Sequence, residues 1–301
     1  MSTQSEPPVA LDTRGGVIHD LGYRHHDGPR LGRGSIARAL YAESARGAFG
    51  FGRGLRSKVM PLLLLAAICL PSVILVVVTT VTGADELPVE YTSYLLNVQP
   101  IIMVFVAGQA PVLVSRDLRF RVMSLYFSRP MQRSDYVLAK YAAMASALFL
   151  LTAMPLTILF AGALLAKLPL GEQLPDYLRA LAGAALLALV LAGVGLVVAA
   201  VTPRRGLGVA AIIAVLAVLA GVQGTVHGIA DAEQEATVAG YSGLISPFTL
   251  VHGIQHALLD APAELEPPPG ATGALVFVVV AALLVAGSLA ALMLRYRKVS
   301  I

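Results

Sequence analysis

His252 and His256 stand at i and i+4 in the run SPFTLVHGIQHALL, a spacing that puts two imidazoles on one face of a helix, as a helical metal pair requires. In a zinc protease a glutamate would follow the first histidine as general base. Here Gly253 follows it, so the pair reads as polar residues on an amphipathic helix. GPRLGRGS, from Gly28 to Ser35, has the glycines of a phosphate loop but lacks its lysine, its spacing and a preceding strand. The chain itself is therefore not expected to bind ATP. His25 and His26 lie in a stretch of Gly, Pro and charge and read as a solvated tail. Cys69 is the single cysteine, which excludes an internal disulfide and any multi-cysteine metal site. No catalytic pair is visible, so the chain is expected to be no enzyme and to hold no metal or cofactor of its own.

The elements that carry these residues are apolar ones. Apolar residues make up 57% of 301 residues, charged ones 13%, and the mean hydropathy is +0.76. The charged share is about half that of a soluble domain, so lipid is the expected solvent and nucleic acid is not an expected partner. A spanning helix needs about 20 apolar residues. Six stretches qualify: 59–81, 95–114, 141–166, 180–201, 207–226 and 275–294, and none contains Asp, Glu, Lys or Arg. Each such charge at mid-bilayer would cost about 2.5–3.5 kcal/mol. The fold class is accordingly an all-α polytopic membrane protein with six transmembrane helices. The second stretch carries Asn97, Gln99, Pro100, Gln109 and Pro111, whose prolines mark its ends or a bend, and Pro71 and Pro155 should kink the first and third.

Charge between the spans gives the orientation. Lys and Arg number nine before the first span, six in 115–140, two in 202–206 and three in the tail, twenty of the 22 in all. The other side keeps Lys167 and Arg179 and holds eleven of the 18 carboxylates. Both termini are therefore expected in the cytoplasm.

Residues 1–34 read as a mobile cytoplasmic tail with no apolar signal-peptide region. Over 35–58, Ile36, Ala37, Leu40 and Tyr41 fall on one helical face and Arg38, Glu43 and Arg46 on the other, the pattern of an interfacial amphipathic helix. Glycines at 47, 50, 52 and 54 loosen its end. In the connection SRDLRFRVMSLYFSRPMQRSDYVLAK, residues 119–127 can form a short helix that Arg129 and Pro130 stop, with Ser134 as N-cap of the third span. In the long connection 227–274, Ser246 as N-cap, Pro247 at the first helical position and Phe248 open a helix too short to span, re-entrant or interfacial. The segment 295–301 is the cytoplasmic tail.

Ion-coupled carriers keep ionisable groups within the bundle, and these spans carry none, so uphill transport would need energy from another subunit. A basic interfacial helix, six spans, a cytoplasmic helix between spans two and three and short outer helices between five and six together resemble the ABC-2 type (type V) ABC transporter permeases. Arg129-Pro130-Met-Gln-Arg133-Ser-Asp-Tyr136-Val-Leu-Ala-Lys140 is similar to the stretch this family carries before its third span, and Ile245-Ser246-Pro247-Phe248 to its outer-helix opening. Ile18-His19-Asp20-Leu-Gly22-Tyr23-Arg24 looks like the N-terminal lead of actinobacterial members.

The resemblance implies an exporter in a bacterial cytoplasmic membrane: two permease copies, as homodimer or heterodimer, with two separate ABC ATPase subunits that bind ATP and Mg. The interfacial segment (Ile36, Arg38, Leu40, Tyr41, Arg46) corresponds to an elbow helix, and 119–127 to a coupling helix that docks on the ATPase. The residues expected to couple ATPase to spans are Arg119, Arg121, Leu125, Tyr126, Phe127, Arg129 and Arg133. The family often has an acidic residue early in that connection, where only Asp117 stands, and no role is assigned to it. The alternative is a stand-alone membrane facilitator, or a membrane anchor for a cytoplasmic partner.

Overall fold

The computed structural model describes residues 28, 32–52, 54–115, 117, 126, 131–202, 204–262 and 264–297. The chain divides after Leu31, and everything below concerns the unit from Gly32 onward. Among the described residues there are ten helices and no strand: α1 Arg33–Ala48, α2 Leu55–Thr82, α3 Tyr91–Asn97, α4 Gln99–Leu113, α5 Arg133–Leu165, α6 Leu170–Val201, α7 Arg205–Ala232, α8 Ala236–Ser242, α9 Pro247–Leu259 and α10 Gly270–Arg297.

Five of these (α2, α5, α6, α7 and α10) are long and apolar enough to cross a membrane, and α3 with α4 makes a sixth crossing if the pair counts as one span. The protein is thus a multi-pass membrane protein. Helices α3 and α4 meet at 63°. Pro100 has no N–H to give to the carbonyl four residues back, and the backbone restarts at Val98, whose carbonyl accepts from Ile101 at 3.0 Å. The polar residues of this stretch thus mark a break within it.

The helices outrun the apolar stretches. At 1.5 Å per residue, the 33 residues of α5 reach about 50 Å, well beyond a hydrocarbon core of about 30 Å. Its first two turns, with Arg133, Asp135 and Lys140, extend past the apolar stretch. Likewise α6 starts ten residues before its apolar stretch and carries Glu172, Asp176 and Arg179. Helix α2 runs through Pro61 and Pro71, and α5 through Pro155, without a break.

Helix α4 is buried on almost every side, packed against α5, α6 and α7, and α5 packs along α6. Close approach here rests on small residues. A Cβ on Gly195 would lie 2.6 Å from Val106 Cγ1, and one on Gly193 would lie 2.2 Å from Ser288 Oγ. In the 142–147 run, Ala143, Ala145 and Ala147 are buried inside this same subunit, while Gly224 and Gly228 face open space. The outward faces of α2, α7 and α10 expose Val59, Leu63, Leu70, Val218, Leu275 and Leu283, as lipid-facing helices do.

Two caps differ from expectation. Helix α5 begins one residue before Ser134: Gln132 is the N-cap, and its N–H donates to Asp135 at 3.0 Å. A carboxylate three residues into the helix outcompetes the serine because it also meets the positive end of the helix dipole. Ser246 does hold the N-cap position of α9 with Pro247 first in the helix, but its hydroxyl makes no capping bond. Thr249 ties the turn instead, donating to Gly243 O at 2.9 Å and Ser246 O at 3.2 Å.

Candidate functional site

The ends of α4, α6 and α10 and the starts of α2, α5 and α7 gather at one end of the bundle, together with α1. This is the end where Arg and Lys concentrate. Helix α1 lies along the start of α5: Leu40 is buried, Ile36 is half-buried against the core, and Tyr41 hydrogen-bonds Ser146 at 3.0 Å. Arg38 and Arg46 stay exposed. Arg46 sits in the last turn, where a cation meets the negative end of the helix dipole. Positive φ at Gly50 (74°) and Gly52 (80°) then turns the chain into α2.

The centre of this end is Asp117. Its carboxylate accepts a hydrogen bond from the Tyr136 hydroxyl at 2.7 Å and lies 2.9 Å from Lys140 Nζ. The Lys140 side chain is only 9% exposed and that of Asp117 16%, so the pair is largely withdrawn from water. Spacing on α5 explains the geometry: Tyr136 and Lys140 are i and i+4, hence on one face, and Lys140 Nζ also lies 5.5 Å over the Tyr136 ring. That ring is fully buried between Tyr126, at 5.7 Å, and Tyr296 of α10, at 5.1 Å. Burial and, behind it, the charges of Asp117 and Glu43 push the Tyr126 hydroxyl above its ordinary pKa, so it stays neutral.

Three further ties bind the same end. Arg33, first residue of α1, grips the Asp135 carboxylate with a forked pair of bonds, one of them Nη2 to Oδ1 at 2.7 Å. Arg133 donates to the carbonyl of Arg297 in the last turn of α10 at 2.7 Å. Ser115, leaving α4, donates to Ala199 O at the end of α6 at 2.9 Å. The connection after α4 is thereby joined to α5, α6 and, through Tyr136, to α10.

Of the residues proposed for coupling, Tyr126 and Arg133 belong to this cluster. Arg119, Arg121, Leu125, Phe127 and Arg129 lie outside the described residues. Asp117, Lys140 and Tyr296 are the additions. The signal in sequence was one of only two carboxylates in a connection with six cations, 23 residues ahead of the lysine it meets.

Ser246, Pro247 and Phe248 sit at the opposite end, where α9 packs on α6 and α10. Phe248 is buried there, and Gln255 donates to Arg179 O at 3.2 Å. Of the two histidines of α9, His252 is buried and His256 half-buried. His252 is 4% exposed and accepts the Glu264 N–H at 3.4 Å through Nε2, while Nδ1 of its ring has no partner. Burial, then the neighbouring His256, lowers its pKa to about 4, so it is neutral at neutral pH. The amphipathic pattern of α9 was sound, but α10 and the 264–268 segment cover the face that carries His252. Among the described residues, no group of three or more His, Cys, Asp or Glu is placed to hold a metal ion.

A family model described as ABC-2 family transporter protein matches residues 101–300, two thirds of the chain, from α4 to the end of α10. No curated protein matches it.

Proposed function

The chain belongs to the ABC-2 family of transporter proteins and is a membrane permease of an ABC transporter, and from that premise we propose that it serves an exporter driven by a separate ATPase subunit. The basic end faces the cytoplasm, two copies of the permease meet two ATPase subunits there, and ATP with Mg binds on those partners. The connection 115–132 is the contact with the ATPase.

One observation carries this reading. Asp117, in that connection, is bonded to Tyr136 and Lys140 on α5, and Tyr136 packs edge-on against Tyr296 of α10. A displacement of the connection cannot leave α5 where it is without breaking a buried ion pair. The same rigid contact reaches α1 through Arg33 and Asp135. In this mechanism ATP closes the ATPase dimer, the connection moves with it, and α5 and α10 follow. The spans have no charged residue in their apolar stretches, which supports an external source of energy.

The test uses the purified complex in nanodiscs. Tyr126→Ala with Phe127→Ala should leave assembly intact and abolish substrate-stimulated ATPase activity. Normal stimulation in an assembled complex would end the coupling assignment. Affinity purification of the wild-type chain should bring down an ATPase subunit without spans. A chain that purifies alone and still carries solute would be a facilitator, and one that brings down only a cytoplasmic protein without ATPase activity would be an anchor.

A further inference from the structure

Helices α6 and α10 end side by side at the basic end, and their last turns leave a groove of about 330 Å³ between them. Val197, Ala200 and Val201 line it from α6, and Ala291 and Leu294 from α10. Val201 and Leu294 are 63% and 56% exposed, so the groove opens outward and sideways through apolar residues on two spanning helices. Only one charged residue lines it, Arg295.

That guanidinium has one tie to the end of α6. Its Nε donates to Ala200 O, one of the carbonyls that the end of α6 leaves without a helical partner, at 3.4 Å. Four of its five N–H donors remain, in the planar fork that suits a phosphate. Arg204 and Arg205 follow α6 directly, and Arg297 ends α10, all exposed. Among the described residues, no carboxylate lies within ion-pair distance of Arg204, Arg205, Arg295 or Arg297. The contrast with the same end's Arg33 and Lys140 is direct, since each of those has an aspartate.

We infer that this groove binds an anionic phospholipid, one acyl chain against Val197, Val201, Ala291 and Leu294 and the phosphate on Arg295, with Arg204 and Arg205 at the headgroup. An apolar slot alone would take any lipid tail. A guanidinium tethered at its mouth, among cations with no carboxylate partner among the described residues, selects the charge of the headgroup. A free phosphate on Arg295 would leave the apolar lining of the groove uncovered, which argues for an occupant with a tail.

Native mass spectrometry of the purified complex, titrated with dioleoyl phosphatidylglycerol or dioleoyl phosphatidylcholine, tests this. One phosphatidylglycerol per permease copy should bind at least about fivefold more tightly than phosphatidylcholine, the share that one interfacial cation contributes. Arg295→Gln should bring the two lipids level, and Arg295→Lys should keep part of the preference. Ala291→Phe, which fills the slot, should weaken both lipids. Equal binding of the two lipids to the wild type would overturn the inference, as would undiminished binding in Ala291→Phe. Leu294→Cys that crosslinks two permease copies in the membrane would overturn it too, since a second copy would then occupy the groove.

Discussion

At the basic end, segments far apart in sequence meet through charge. Asp117 meets Lys140, Arg33 meets Asp135, and Tyr126, Tyr136 and Tyr296 pack ring against ring beside the first pair. At the opposite end the corresponding closures are neutral. Tyr91 donates to Gln173 at 2.7 Å, Gln255 to a backbone carbonyl, and a buried, uncharged His252 receives a backbone N–H. Eleven carboxylates lie on that side, yet the one ion pair among the described residues there, Arg179 with Asp176, lies within a single turn of α6. The difference teaches where force can enter. A buried ion pair has two discrete states, made or broken, with a large gap between them, so it transmits displacement. Neutral packing between α9, α6 and α10 holds an end closed and gives no comparable lever.

The largest effect should come from breaking the pair on one side only. Lys140→Met leaves the largely withdrawn Asp117 carboxylate with Tyr136 alone, which should lower unfolding stability by about 1–3 kcal/mol. The double change Lys140→Met with Asp117→Leu should recover most of that loss, because no unpaired charge remains. Thermal unfolding of the detergent-purified chain at fixed lipid content reads both. A single mutant no worse than an exposed substitution would mean the basic end is not held by this pair.

The neutral end should answer to acid. His252 has a folded pKa of about 4 against 6.5 for the free side chain, so the unfolded chain binds the proton more tightly. Its contribution is fully present above pH 6.5 and is lost as pH falls toward 4, about 2 kcal/mol of it by pH 5. His252→Gln should flatten that part of the curve. An unchanged acid slope in His252→Gln would place the sensitivity elsewhere, and the contrast between a charged and an uncharged end would lose its second half.

How far each end could be read from sequence follows the same division. Span positions were legible because hydropathy is a sum over twenty residues and tolerates local error. The polar residues around Pro100 announced the break between α3 and α4. The extra turns on α5 and α6 were not legible: Glu172, Asp176 and Arg179 stop an apolar count even where the helix continues into water. Helix α8, Ala236–Ser242, is too short for periodicity to register. Asp117 and Lys140 are 23 positions apart, and nothing local says that a carboxylate among arginines will choose a lysine entering a span. Likewise, the amphipathic pattern of α9 gives a helix its two faces but not which neighbour covers the polar one, so the burial of His252 could not be read from it.

The smallest effect should come from the second ion pair, and it isolates burial as the variable. Arg33 and Asp135 have the same chemistry as Lys140 and Asp117 and sit at the same end, but the Arg33 side chain is 45% exposed against 9% for Lys140. Water and salt reach the guanidinium, and ordering its long side chain offsets much of the attraction. Arg33→Gln should therefore shift the unfolding midpoint far less than Lys140→Met, and only at low ionic strength. In concentrated salt the variant and the wild type should coincide, while the deficit of Lys140→Met should persist, because salt screens the withdrawn Lys140 ammonium of the wild type far less than the exposed Arg33 guanidinium. If Arg33→Gln matched Lys140→Met and kept its deficit in salt, then charge would hold this end regardless of depth. Asp117 would then lose its claim to be the point through which motion of the connection enters α5.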